Sequence, residues 1–406
     1  MKKSILTFSA LLILSIAIST NPAEAQWIPS SVFPLGDSLQ SILFVNSNTG
    51  WVSGYSGTIL KSTNGGINWT AQNSNTDSRI NSIFFIDANT GWAAGSVGAI
   101  CRTTNGGANW FTEAPGGFWF SIFFANANTG WAAGFMGAVI KTTDGGLSWF
   151  PQQSGTSVIM LTSICFINAN TGWISGINGT ICKTTNGGNN WNAQNNSSLF
   201  CYSIKFINEN TGWVSWDGII YKSTNGGQNW ESLNNNPLAY SLCFLNSQTG
   251  YATSVPGTII KTTNGGINWT DQSSGTLNLL SSIYFTDIYY GWACGWGGVI
   301  AKTTNGGSTF ISNSGTNIPD KYSLSQNYPN PFNPSTIINF QLPTNNFISL
   351  KIYDVTGKEV ETLVNEQLSA GSYKVDWDAS TYPSGIYFCR IETGNFSKTI
   401  KMSLIK

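Results

Sequence analysis

Apolar residues recur in this chain on a short rhythm nested in a long one. Ser-Ile-x-Phe opens each cycle, so that Phe44, Phe85, Phe124, Phe166, Phe206, Phe244 and Phe285 each stand two places after an Ile, or after Leu242 in one copy. Period-two spacing of aliphatic and aromatic residues predicts a short strand with one packed face. The residue between them varies widely: Leu43, Phe84, Phe123, Cys165, Lys205, Cys243 and Tyr284. A turn of the form Asn-x-Asn-Thr-Gly follows, and Asn and Gly suit a tight reversal. A second strand, Gly-Trp-x-x-Gly, comes next, its aromatic being Trp51, Trp92, Trp131, Trp173, Trp213, Tyr251 or Trp292. A third runs as in Thr58–Lys61, Asn64-Gly65 marks a two-residue hairpin, and a fourth begins near Trp69.

The aromatic ending the hairpin phrase falls at Trp69, Trp110, Trp149, Trp191, Trp230, Trp269 and Phe310, at intervals of 41, 39, 42, 39, 39 and 41 residues. Four short antiparallel strands in each of seven copies predict an all-β, seven-bladed β-propeller. A β-helix or leucine-rich solenoid has shorter repeats or Leu ladders that are absent here. Trp27 precedes Ser41 by 14 residues, much as Trp69 precedes Ser82 by 13. The segment around Trp27 therefore reads as a spare fourth strand, expected to pair with the last blade (residues 282–305) and to hide its open edge. Whether it replaces or joins the strand at Phe310 stays open at this point.

The period stops at Asn317. A Pro- and Asn-rich segment, Tyr322 to Pro334, leads into strand-like runs at residues 337–342, 348–355, 373–377, 386–391 and 399–405, with turns at Gly357-Lys358 and Ala370-Gly371. These predict a small immunoglobulin-like β-sandwich. At the other end, Lys2 and Lys3, an apolar run from Ile5 to about Ile18 and Ala23-Glu24-Ala25 have the form of a cleavable export signal. The expected organisation is a signal peptide at 1–25, a propeller at 26–316 and a sandwich at 317–406.

Composition removes whole classes of chemistry. The chain has no His, which excludes His-based metal sites and Ser-His or Cys-His nucleophile pairs. Only 9% of its 406 residues are charged and the formal net charge is +0, so no basic stripe exists to bind nucleic acid. The seven Cys are an odd number, and no two have C-x-x-C spacing. Cys101 and Cys182 share a slot with Leu60 and Ile140, which reads as small buried hydrophobes. No cofactor and no metal site is expected, nor any membrane span after signal removal.

The hairpin phrase resembles the Asp-box of sialidase-type propellers: Ser62, Asn64, Gly66 and Trp69 in the first copy, Thr142, Asp144, Gly146 and Trp149 in the third. Paired with Asn-Thr-Gly-Trp, it makes residues 27–316 resemble propellers of the photosystem II stability/assembly factor family. That resemblance implies the propeller fold. The arginine-rich client-binding patch of photosynthetic members does not carry over, because this propeller has only Arg79 and Arg102. The basic slot reads Lys61, Arg102, Lys141, Lys183, Lys222, Lys261 and Lys302. From about residue 322, the phrases Asn327–Pro334, Ile352–Lys358, Gly371–Tyr373 and Ser384–Phe388 resemble the type A C-terminal sorting domain of the type IX secretion system. This second resemblance implies handling by that machinery and delivery to the surface or medium of a Bacteroidetes-like Gram-negative bacterium.

A sialidase site would need three arginines for its substrate carboxylate, one more than the propeller holds. Among its acids, only Asp217 lies in a loop between second and third strands, and no carboxylate pair suited to glycoside hydrolysis emerges. Binding is the preferred reading. The loops that break the repeat supply the candidate ligand-binding residues Tyr55, Trp119, Phe135, Trp216, Asp217 and Trp296, the tryptophans being those outside the repeated slots, with rings suited to sugars or peptides. The expected function is a non-catalytic surface or secreted propeller that binds a glycan, peptide or protein. A polysaccharide hydrolase using Asp217 and an assembly or chaperone-like scaffold for exported proteins stay open as alternatives.

Overall fold

The computed structural model describes residues 27–32, 37–113, 115–156, 158–195, 200–233, 238–307, 312–315, 319–379 and 382–406. The expected signal segment and Phe310 lie outside the described residues. Seven four-stranded antiparallel sheets form the blades of a propeller, and two further four-stranded sheets form the C-terminal sandwich. Blades 1 to 6 span residues 39–72, 80–113, 119–152, 161–195, 201–232 and 239–272, and blade 7 spans 280–303. Each inner strand lies beside the next, and that of blade 7 (Leu280–Phe285) lies beside that of blade 1 (Leu39–Phe44), so the ring is closed.

The segment after Trp27 completes blade 7. Ile28–Val32 pairs antiparallel with Val299–Thr303, Ile28 opposite Lys302 and Val32 opposite Val299, and takes the fourth place in that sheet. Trp27 stands edge-on to Phe285, centroids 5.5 Å apart. Trp69, Trp110, Trp149, Trp191, Trp230 and Trp269 hold the same relation to the Phe of their own blades at 5.8–5.9 Å. Trp27 thus fills the seventh place in that series, and its Nε1 donates to Gln272 Oε1 of blade 6 at 2.9 Å.

Three interactions weld each blade to the next, and the repeated residues are the ones that make them. The Ser of Ser-Ile-x-Phe accepts a backbone N–H from the following blade: Ile83 donates to Ser41 Oγ at 3.3 Å, and so on round the ring to Ile42 on Ser282 Oγ at 3.3 Å. The Trp of Asn-Thr-Gly-Trp stacks nearly parallel on the next blade's Phe at 3.5–3.8 Å, with Tyr251 on Phe285 in blade 6 and Trp292 on Phe44 at the closure. Its Nε1 donates to the carbonyl of the first hairpin Gly of that blade at 2.8–3.1 Å, and Tyr251 donates its hydroxyl to Gly306 O at 3.1 Å. A buried bond of this kind contributes about 1 kcal/mol.

The Gly of Asn-Thr-Gly has a different reason from the one expected. Gly50 is the first residue of a strand, not a left-handed turn residue, and a Cβ there would meet the Phe44 ring at 2.4 Å. The hairpin Gly65 and Gly66, with φ of 71° and 86°, do require left-handed backbone. The strand-three bases are structural too. Lys61 Nζ lies 5.3 Å from the centroid of the Trp51 ring, and Lys141, Lys183, Lys222 and Lys261 repeat the arrangement at 5.0–5.7 Å.

The sandwich packs Ser335–Leu342 and Gly371–Asp378 against a sheet in which Asn346–Tyr353 lies between Glu359–Leu368 and Gly385–Glu392. Ser312–Gly315, before the expected boundary at 316, pairs with Gly371–Asp378 in the first of these sheets. The Asn-Pro segment is a clasp. Phe332 is buried and exchanges backbone bonds with Ser403 and Ile405, while Asn330 Oδ1 accepts Ser403 N–H at 2.9 Å. All seven Cys are buried and unbridged.

Candidate functional site

The loops between second and third strands abut the segments that enter the inner strands, so both sets lie on one face. Backbone bonds of 2.8–3.1 Å tie them: Tyr55 to Ser38, Ser96 to Arg79, Phe135 to Phe118, Ile177 to Met160, Asp217 to Phe200 and Trp296 to Leu279. Ser56, Val97, Met136, Asn178 and Asp217 sit in these loops with φ between 46° and 58°. A tight left-handed reversal pushes such a side chain outward, and Val97 and Met136 are 73% and 76% exposed.

This face carries four of the six candidate side chains. Trp296 is exposed at the start of a single 3-10 turn. Tyr55 is partly exposed and lies under the Arg79 guanidinium, 4.5 Å from it. Phe135 stands edge-on to Phe118 at 6.2 Å. Asp217 is exposed, and its Oδ1 accepts the Phe200 N–H at 2.9 Å, which fixes its own loop.

Trp119 and Trp216 are not available. Each is 2% exposed. Trp119 is the first residue of its inner strand, the place of Leu39, Ile80, Leu161 and Leu280, and faces Gly134 across the sheet. Trp216 ends its second strand, where most blades have Gly, and faces the small Cys201 instead. The bulky partner has changed strand, and the pair fills the same space. Trp216 packs on Tyr221 and Trp230 at 4.9 and 5.6 Å.

The structure adds residues the sequence reading missed. Phe118, Ile159 and Leu277, in segments entering the inner strands, are 46%, 58% and 75% exposed on this face. At the start of the blade 5 inner strand, Tyr202 lies against Phe200 and Tyr240, with centroids 4.7 and 4.8 Å away. Burial raises the Tyr202 hydroxyl above its ordinary value, and the nearby Tyr240 and Asp217 raise it further. The signal for this cluster was the residue before each Ser of Ser-Ile-x-Phe: Gln40, Asn81, Phe120, Thr162, Tyr202, Tyr240 and Ser281 follow no rule of packing.

The carboxylates of the inner-strand turns have a structural task. Asp87 Oδ1 accepts the N–H groups of Asn89 and Thr90 at 2.7 Å, as Asp287 does for Tyr289 and Tyr290 at 2.8 Å. In the hairpins, Thr142 Oγ1 donates to Asp144 Oδ1 at 2.8 Å and accepts Gly146 N–H at 2.8 Å. A groove of about 450 Å³ beside Lys61, Asn64, Asn68 and Gln72 is lined by residues of the repeated hairpins and lies away from the variable loops.

The model of the photosynthesis system II assembly factor YCF48 family matches residues 20–114, 117–237 and 155–278, more than half of the chain. That of the secretion system C-terminal sorting domain matches residues 326–406. Among solved structures, YCF48 bound to D1 peptide is 19% identical with a TM-score of 0.59, over 69% of this chain and 97% of that one. YCF48 from Cyanidioschyzon merolae is 18% identical with a TM-score of 0.57, over 68% and 98%. The WD40 β-propeller domain of Doa1 is 9% identical with a TM-score of 0.55, over 68% and 96%. At these identities the likeness establishes the fold alone. No curated protein matches the chain.

Proposed function

This chain belongs to the photosynthesis system II assembly factor YCF48 family, and because it ends in a secretion sorting domain we propose that it is an exported propeller that binds an extended polypeptide across its variable-loop face. The observation that carries this reading is the exposure of Val97, Met136, Ile159, Leu277 and Trp296 on one face, all from segments that depart from the repeat. Apolar side chains exposed together on a folded domain mark an interaction surface. Most of these are aliphatic and offer a sugar no π-face, whereas peptide side chains bury well against them. With Trp119 and Trp216 inside the blades, only Trp296 is left of the three tryptophans whose rings would suit a sugar or a peptide. A solved YCF48 propeller is bound to a peptide, in keeping with this choice.

The sorting domain implies export through the type IX machinery, so the partner is met outside the inner membrane, away from any photosystem. Cleavage after Ala25 and delivery to the surface or medium belong to the same proposal. So does the reading of the hairpins as Asp-boxes, with a folding role only. The test is binding of the mature protein to arrays of extended peptides and of glycans, beside a variant with Val97→Ser, Met136→Ser and Trp296→Ala. Wild type should capture apolar-rich peptides, and the variant should lose them while unfolding at the same urea concentration. Capture of glycans alone, turnover of a polysaccharide, or unchanged peptide binding by the variant would each overturn the reading.

A further inference from the structure

The fifth residue of each inner strand, the variable residue of Ser-Ile-x-Phe, borders the axis of the ring. Its side chain leaves the strand on the same side as the Ser two positions earlier, which bonds the next blade. Cys165, in this position, accepts the Phe206 N–H of that blade at 3.5 Å. Round the ring the position divides into two arcs. Blades 1 to 3 contribute Leu43, Phe84 and Phe123, with Phe84 and Phe123 in contact at 5.0 Å. Blades 4 to 7 contribute Cys165, Lys205, Cys243 and Tyr284.

Lys205 is the single charge in this ring of seven. It is half-buried. Among the described residues no carboxylate pairs with it, the three ion pairs there all lying in the sandwich. Among the described residues no hydrogen bond to a protein group occupies its three donors, although Cys165, Cys243 and Tyr284 from three other blades lie within electrostatic reach. Burial opposes its charge, and Cys165, Cys243 and Tyr284 favour the ammonium only when they are themselves ionised, above neutral pH. A confined cation without a counter-charge is costly, and the six other copies, with Leu, Phe, Cys or Tyr at this position, show that the ring does not need it.

We propose that the axial channel is a binding site for a monocarboxylate with an apolar body, its carboxylate on Lys205 and its body against Leu43, Phe84 and Phe123. One ammonium balances one negative charge. A phosphate or sulfate dianion would bring a second charge that no other cation of this ring meets. The apolar arc selects a hydrocarbon or aromatic body over a sugar, because burying hydroxyls against Phe84 and Phe123 leaves them without partners. Entry is past Tyr202 and Tyr240, on the face where the variable loops lie. The site is separate from the loop residues that bind polypeptide.

The test is calorimetric titration of the mature protein with 3-phenylpropionate, 3-phenylpropanol, galacturonate and inorganic phosphate. Phenylpropionate should bind saturably, and each of the other three at least about tenfold more weakly. Lys205→Met should abolish phenylpropionate binding, Lys205→Arg should restore it, and Phe123→Ala should weaken it without changing the preference for the acid. Circular dichroism confirms that each variant is folded, and should Lys205→Met fail to fold, Lys205→Gln takes its place. Equal binding of acid and alcohol, stronger binding of galacturonate or phosphate, unaltered binding by the uncharged variant, or no saturable binding of phenylpropionate at millimolar concentration would each overturn the proposal.

Discussion

Replacing Trp27 tests the closure of the ring at the residue that makes it. The side chain is fully buried, stands edge-on to Phe285 and bonds Gln272 Oε1, although it belongs to a segment far in sequence from both. Truncating a buried tryptophan to alanine costs about 3–5 kcal/mol through lost transfer energy and the cavity left behind. The Nε1 bond adds about 1 kcal/mol. Trp110 is the internal control. It is 1% exposed and edge-on to Phe85 at 5.8 Å, but its Nε1 has no partner among the described residues.

Urea unfolding of the mature chain, followed by far-UV circular dichroism, should therefore show Trp27→Ala to be at least as destabilising as Trp110→Ala. Trp27→Phe keeps an aromatic ring and loses the bond, and should recover most of the difference. Trp27→Ala should also speed proteolysis at Val299–Thr303, whose outer edge Ile28–Val32 covers. A loss below about 1 kcal/mol for Trp27→Ala, beside a full loss for Trp110→Ala, would show that Trp27 holds no place in the ring.

Two further predictions concern the thiols and the tail. Burial pushes Cys182 up to about 11 and Cys201 up to about 12 from an ordinary value of 9.0. Both folded values exceed the unfolded one, so the stability these thiols contribute is intact below pH 9 and is lost as pH rises toward 11–12. Urea midpoints should fall across that window, and a thiol-reactive dye at pH 8 should label the protein only on unfolding; rapid labelling of the native state would refute the burial. Deleting residues 322–406 should trap the propeller in the periplasm on cell fractionation, and normal delivery to the surface would refute the sorting role.

The seven-fold repeat made much of the fold legible, because a position seen seven times shows whether its residue is required. The Phe and Trp slots announced packing, and the spacing of Trp27 announced a strand with no blade of its own. What escaped was each case where two residues share one requirement. Trp119 and Trp216 looked like departures from the repeat, yet Leu39 with Gly54, Trp119 with Gly134 and Cys201 with Trp216 are three ways to fill the space between paired strand ends. The slot of Trp119 is apolar in every copy, which was the available signal. Glu359–Leu368 escaped for another reason. Its ladder slips between Val364 and Thr362, so Leu363 and Val364 are both buried and the period-two pattern breaks in mid-strand. The partner of the Ser in Ser-Ile-x-Phe is an N–H about 40 residues away in the next blade, or 240 residues away for Ser282 and Ile42 at the closure, and only blade-on-blade packing brings each pair together.

The same logic separates residues that hold the ring from residues free to act. Ser, Ile, Phe, Trp and the paired glycines answer to a neighbouring blade, and changing one breaks a stack or a bond that recurs at every junction. The fifth inner-strand residue answers to no such rule, since Leu43, Phe123, Cys165 and Tyr284 all serve there. Lys205 could therefore have been apolar, which would have relieved the blades of an unpaired charge. The outer loops make the same point from the opposite side. Ser56, Val97, Met136 and Asn178 share one strained backbone turn, so that turn is the fixed requirement and the side chain it presents is the variable. A ligand that reads those side chains meets a rigid rim, and its specificity then rests on substitutions the fold itself does not resist.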